Sequence, residues 1–456
     1  MLDRDHVAVG GDTAGREEVP QIVRILDQVR DGSTAAMGAD RCDSGGVGAG
    51  SGVSSMRHGV VVTRLATCVA ATVLAAAGCT SPHHATKSSG SSAETSSAGS
   101  IRFPDPAAVP LPVRQGRVLQ AVLTDIVDPV VRAGPVGAPG VTAAVVSDNG
   151  SWSGAAGVDG FGRPLKRDAM MSIASITKTF VAAEVMRLVQ AGDVALDDPI
   201  SDHVSDSPAN GGATVADVLS MRSGLRDPPN SVLEAMVKAQ GATGNQHWSL
   251  HRVLTYLNPK VAAPGGAPVY ANVNYLLLGM LVEDITKKPL PVVERADLIA
   301  RAGLVRIATQ NTERPGPPVA LAARNINAHP DGYLPDEPWA GAVGDSFAGL
   351  AADAATVARW GYQLYGARVL DAASVKAMET PPSVESVFPG IAYGLGTMVF
   401  EGLSEDPTYG HIGQDPGYTS ILVVDPRRHL AAALLVVDSR RFMAVGAMRS
   451  LLTALQ

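Results

Sequence analysis

Cysteine is nearly absent from this 456-residue chain. The three that occur, Cys42, Cys68 and Cys79, all lie in the first fifth. The rest of the sequence therefore has no disulfide, no thiol nucleophile and no thiolate metal site. No His-Glu-x-x-His occurs, and the His83-His84 pair sits in polar sequence, so no metal and no cofactor is assigned. Long basic runs are missing too. With a net charge of −7 and a pI near 5.8, nothing supports a nucleic-acid role. Charged residues make up only 18%, against 46% hydrophobic, which excludes disorder as the main state.

The first hundred residues read as an address. Met56-Arg57-His58 opens a stretch with Arg57 and Arg64, followed by an apolar run of 13 residues from Leu65 to Ala77. That is short of the roughly 20 residues a membrane span needs. A basic start, an apolar middle and small residues at the end make a secretory signal over 56–79. Ala76-Ala77-Gly78-Cys79 resembles the lipobox of bacterial lipoproteins, with Ala76 where leucine is usual. The resemblance implies lipidation of Cys79, a membrane anchor and an extracytoplasmic location. Residues 1–55, polar and Gly/Ser-rich, are expected to be disordered or untranslated, with translation starting at Met56. Residues 80–104, rich in Ser and Thr, read as a flexible linker.

Residues 105–456 carry the folded part. Val113 to Arg132 has helical periodicity, and Val141 to Val146 reads as a strand. Asp148-Asn149-Gly150 signals a hairpin, with Ser151 to Val158 returning. A helix is expected from about Ser175 to Gln190, stopped by Gly192. Helices and Pro/Gly-rich loops follow. Strands return at Tyr393–Phe400, Tyr418–Val424 and Leu430–Val437, and a helix from Ser439 to Leu455 closes the chain. The expectation is an α/β (α+β) fold: one antiparallel sheet from both ends, flanked by terminal helices, with a helical lobe inserted at about 180–385.

Ser175-Ile176-Thr177-Lys178 stands out within that frame. A hydroxyl and an amine three residues apart share one helix face. A serine is a poor nucleophile until a base removes its proton, and a lysine held out of water can serve. Only Lys178 has a serine three residues before it, and its flanks are apolar: Ile173, Ala174, Ile176, Phe180 and Val181. Two later stretches offer proton handling and substrate contact. In Tyr270-Ala271-Asn272 a phenol and an amide alternate with alanine; in His411-Ile412-Gly413-Gln414 a histidine lies beside glycines just before a hairpin.

These three elements, in this order, resemble the serine β-lactamase and penicillin-recognising DD-peptidase superfamily, most closely its class C-like branch. Thr214 to Leu225 and Ala348-Gly349-Leu350 with Asp353 and Trp360 match it as well. The resemblance implies Ser175 as acylated nucleophile, Lys178 as base or relay and Tyr270 as second proton-transfer group. It implies Asn272, His411, Gly413 and Gln414 as substrate contacts, with main-chain N–H groups of Ser175 and Gln414 as the oxyanion site. Whether Lys178 or Tyr270 takes the serine proton stays open.

Histidine stands where many members have lysine, and no Lys-Thr-Gly occurs. A titratable histidine is a weaker partner for a substrate carboxylate, which favours a peptidase or esterase over a dedicated β-lactamase. The expected partners are a cell-wall peptide or a small ester, amide or β-lactam. Ser147-Asp148-Asn149 is read as a hairpin turn. Gly344-Asp345-Ser346-Phe347 looks like the nucleophile block of GDSL hydrolases but comes late, and Asp425 and His429 are four apart where that family needs three. The alternative from another class is a non-catalytic penicillin-recognising binding or sensor lipoprotein.

Overall fold

The computed structural model describes residues 102–127, 139–205, 212–229, 232, 248–310, 312–322, 346–415, 417–437 and 444–456. The expectations for residues 1–101, including the signal and Cys79, lie outside them. In chain order the strands are β1 (Gly140–Ser147), β2 (Ser151–Gly157), β3 (Met171–Ser172), β4 (Leu225–Arg226), β5 (Lys260–Val261), β6 (Ile307–Thr309), β7 (Leu350–Ala352), β8 (Ile391–Tyr393), β9 (Met398–Phe400), β10 (Thr408–Asp415), β11 (Tyr418–Asp425) and β12 (Leu430–Val436). The helices are α1 (Val113–Val127), α2 (Thr177–Ala191), α3 (Val215–Leu219), α4 (Leu250–Leu257), α5 (Val273–Thr286), α6 (Leu290–Glu294), α7 (Ala354–Tyr365), α8 (Ala372–Glu379) and α9 (Ala444–Thr453).

Seven strands form one antiparallel sheet in the order β2-β1-β12-β11-β10-β9-β8. Strands from the two ends of the folded part meet in it: Val141 pairs with Val436 and Ser147 with Leu430. The two-residue turn at Asp148-Asn149 lets Val146 face Ser151, as its sequence predicts. β11 and β12 are buried on both faces, which explains their continuous apolar runs. The inserted region carries α3 to α6 and two small sheets, β3-β7-β6 and β4-β5.

Two expected elements differ. Tyr393–Phe400 is two strands, because Gly394-Leu395-Gly396 turns the chain; Gly396 has φ +74° and no room for a Cβ, which would meet that of Ala182 at 2.2 Å. The chain also docks before residue 105. Phe103 is buried, its N–H donates to Gly366 O at 2.9 Å and its ring meets Tyr362 edge-on at 5.1 Å.

The nucleophile-bearing helix is fixed from several sides. Phe180 stacks on Trp360 at 3.9 Å, and the Trp360 indole N–H donates to Thr179 Oγ1 at 2.8 Å. Leu350 N–H donates to Thr177 Oγ1, and Ile173 N–H to Leu350 O. Gly192, in the left-handed region, caps the far end of α2.

Candidate active site

Ser175 sits in a short 3₁₀ turn, Ala174–Ile176, that feeds α2. Ala174 has φ +46°, a conformation alanine rarely adopts, and its N–H is held by Ser172 Oγ at 3.2 Å. This kink turns the chain from β3 into the helix and leaves the Ser175 N–H outside the helical ladder. Backbone strain of this kind clusters at functional sites.

Lys178 follows one turn later and is wholly buried. Its Nζ lies 2.9 Å from Ser175 Oγ, 2.8 Å from Asn272 Oδ1 and 3.1 Å from Phe347 O. The rings of Tyr270, Phe347 and Tyr275 surround it at 5.0, 5.2 and 5.6 Å. Burial pulls its pKa down to about 7, with Asp227 opposing the shift. At neutral pH a large share of the lysine is therefore an uncharged amine. Such an amine has two N–H donors and one lone pair. Asn272 Oδ1 and Phe347 O accept the two donors, which leaves the lone pair to Ser175.

Tyr270 presents a buried hydroxyl to the same spot. It interacts with Ser175, but among the described residues no group meets it at hydrogen-bonding geometry. Burial pushes its pKa far above the usual phenol value, so the group stays protonated and is a donor in waiting.

β10 closes the site from the sheet side. The strand's alternation puts His411 and Gly413 on one face. A Cβ on Gly413 would lie 2.2 Å from Ile173 O and 3.1 Å from Ser175 N, so only glycine lets the strand approach the nucleophile this closely. Ile412 N–H points away from β11, toward the Met398 sulfur at 3.4 Å. By the same alternation the Gln414 N–H points that way too, past the end of β9.

His411 differs from expectation in its charge. Its ring is wholly buried; Nδ1 lies 2.6 Å from Ile412 O and Nε2 3.0 Å from the Tyr393 hydroxyl. Nδ1–H therefore donates to the carbonyl, and Nε2 accepts from the phenol. Burial, then the nearby Lys178, pull its pKa down to about 3. The expected titratable partner is a neutral imidazole at physiological pH and presents no positive charge to a carboxylate.

Several contributors carried no motif signal. Asp227 takes hydrogen bonds from Asn272 N and Nδ2, both at 2.9 Å, and from Val273 N at 3.0 Å. Phe347 acts through its carbonyl, and Tyr393 belongs to a strand 18 residues before His411. Ser346, the decoy serine, is buried, its hydroxyl meets no hydrogen-bond partner among the described residues, and the following residue supplies one of the lysine's acceptors. A cavity of about 420 Å³ lies elsewhere, around Asp148, Asn149 and Arg427 to His429, and no residue of this site lines it.

Residues 127–454 match the Beta-lactamase family. The chain belongs to that family. It is accordingly a serine hydrolase. Its curated relatives include a protein of Escherichia coli O157:H7 named "Putative D-alanyl-D-alanine carboxypeptidase", 25% identical over 345 residues, covering 66% of this chain and 78% of that one. Penicillin-binding protein 4 of Amycolatopsis lactamdurans is 27% identical over 330 residues, 65% of this chain and 80% of that one. Among solved structures, a D-amino acid amidase from Ochrobactrum anthropi SV3 superposes with a TM-score of 0.62 at 24% identity, over 75% of this chain and 98% of that one. That likeness establishes the β-lactamase/DD-peptidase fold.

Proposed function

We propose that this Beta-lactamase family member is a D-alanyl-D-alanine carboxypeptidase-like or esterase/amidase-like enzyme of the class C-like branch, acting through an acyl-enzyme on Ser175. The observation that carries the reading is the buried Lys178 amine 2.9 Å from Ser175 Oγ, poised near neutrality so that its uncharged form is well populated, with acceptors at Asn272 Oδ1 and Phe347 O for its two N–H groups. A pure binding or sensor protein has no use for such a base.

Lys178 takes the Ser175 proton as Oγ attacks the carbonyl, and the negative charge that develops on oxygen is met by the main-chain N–H groups of Ser175 and Gln414. Tyr270 gives its proton to the leaving amine or alkoxide and recovers one from the Lys178 ammonium. Lys178, not Tyr270, is the base, because burial lowers an amine's pKa toward neutrality and raises a phenol's away from it. Water then hydrolyses the ester by the same steps in reverse. Cell-wall peptides ending in D-amino acids, or amides and esters of that size, are the substrates, with weak β-lactam hydrolysis as a side reaction. The names of the carboxypeptidase relative and the amidase structure support this class.

The test is a labelled penicillin and an activated ester, with the adduct mapped by peptide mass. Label on Ser175, lost in Ser175→Ala together with turnover, is expected; equal turnover by wild type and variant ends the reading. Lipid anchoring through Cys79 at the extracytoplasmic face rests on sequence alone. In the natural host Cys79→Ala should move the protein from the membrane fraction to the soluble one, and an unchanged distribution removes the anchor.

A further inference from the structure

The acyl-enzyme reading needs the Lys178 lone pair aimed at Ser175, and that aim depends on which way the Asn272 amide is turned. With Oδ1 toward Lys178, Asn272 accepts an N–H. Turned over, it would offer Nδ2–H to the amine, and the lone pair would be drawn from Ser175 to Asn272. Little separates the two orientations for an isolated amide.

We propose that Asp227 is a positioning residue for acylation: its carboxylate fixes the orientation of Asn272 and so holds Lys178 on Ser175. The carboxylate Oδ2 accepts from both the main-chain N and the side-chain Nδ2 of Asn272, and Oδ1 accepts from Val273 N. An ionised carboxylate only accepts. It therefore binds Asn272 in one orientation, Nδ2 inward, and repels the other. A hydroxyl or an amide at 227 would tolerate both.

The segment that presents Asp227 is itself stapled to the Tyr270–Asn274 stretch. Val269 N–H donates to Met221 O at 2.9 Å, Ala262 N–H to Gly224 O at 2.9 Å, and Ser223 Oγ to Asn274 Oδ1. Met221 holds φ +62° and Gly224 φ +83° within this turn. Two segments 45 residues apart are thus locked at the carboxylate.

Asp227 also acts on Lys178 through its charge. The amine is faced by Asp227, the protonated phenols of Tyr270 and Tyr275, the Phe347 ring and the neutral His411 backed by Tyr393. Asp227 is the negative charge among these and holds the Lys178 pKa up against burial. Burial holds the carboxyl of Asp227 above the ordinary carboxylate value, against the opposing pull of the Asn272 and Val273 N–H groups and of Lys178. Removing the charge should lower the Lys178 pKa further, so neutral amine persists to lower pH.

The experiment compares wild type, Asp227→Asn and Asp227→Ser by kcat/KM for p-nitrophenyl acetate as a function of pH, with thermal unfolding of each. The wild-type acid limb is expected near pH 7, where Lys178 loses its proton. For D227N a fall in kcat/KM of about 10- to 100-fold is expected, the scale of a small misplacement of a reacting group, with the acid limb displaced to lower pH. Asp227→Ser, smaller and neutral, should behave alike and stands in if D227N is not obtained folded. Wild-type kcat/KM with an unmoved limb overturns the proposal. So does a lower rate with an unmoved limb, because a structural fault removes active enzyme without changing the base. A wild type that neither hydrolyses the ester nor takes up labelled penicillin overturns the acyl-enzyme reading first, and this role with it.

Discussion

Burial moves Lys178 and His411 in the same direction, because each loses the water that would stabilise its cation. The consequences differ. Lys178 stops near 7, where both forms are populated and proton transfer is possible. His411 falls to about 3 and stays neutral, so its part in the site is to hold Tyr393 and the main chain of Ile412. This has a stability consequence. Unfolded, the histidine titrates near 6.5; folded, it binds a proton only near 3. Between those values the unfolded chain carries more protons, so stability rises with pH across that window and falls as pH drops below about 6.5, by at most roughly 1.4 kcal/mol per pH unit from this one group. Urea midpoints measured across the window should show the slope, and His411→Phe should flatten it. An equal slope in both proteins would mean that other groups govern acid lability.

At the scale of elements, β10 meets the start of α2 with no spare space at Gly413. Gly413→Ala would put a methyl 2.2 Å from Ile173 O, a main-chain atom that cannot swing aside, and 2.2 Å from Ser420 Oγ. The strand must retreat from Ser175. The expected cost is about 1–3 kcal/mol in stability and about 100-fold in kcat/KM, since a displacement of roughly 1 Å at a reacting centre has that effect. Gly266→Ala, where a Cβ meets nothing within 4 Å, is the control and should leave both quantities unchanged. Denaturant unfolding with ester hydrolysis checks the pair, and unaltered kinetics in Gly413→Ala would show that the approach is not needed. The sequence foreshadowed this meeting unevenly. Regular elements were legible because their signals are local: apolar periodicity in α1, Gly192 at the end of α2, the Asp148-Asn149-Gly150 turn and the apolar runs of β11 and β12. The Ser175–Lys178 contact was legible because three-residue spacing on a helix dictates it. Asp227 was not, since it reaches Asn272 across 45 residues and is one acid among many. Phe347 contributes a carbonyl, which every residue has. His411 was legible as a titratable substrate partner but not as a buried one, since the glycines beside it let the strand pack closely against its neighbours.

The folded part is closed by pairing strands from its two ends. β1 and β2 from the start of the folded part add to β12, β11 and β10 from its finish, so the strand that lines the site is in one sheet with the first hairpin. What precedes that hairpin matters as well. Phe103 plugs the space beside Gly366, with its ring 5.1 Å from that of Tyr362 and 5.0 Å from that of His429. Arg368 Nη1 donates to Phe103 O at 3.1 Å, and the Tyr362 hydroxyl donates to Pro104 O at 3.0 Å. The folded part therefore begins by residue 103, inside the stretch that composition assigns to the linker. Phe103→Ala empties this plug and should cost about 3–5 kcal/mol, as removal of a buried phenylalanine does. None of the contacts of Phe103 touches Ser175, Lys178, Tyr270 or Asn272, so kcat/KM per folded molecule should hold. A lower denaturation midpoint with unchanged turnover below it is the expected result. An unshifted midpoint would mean that residue 103 belongs to the tether after all.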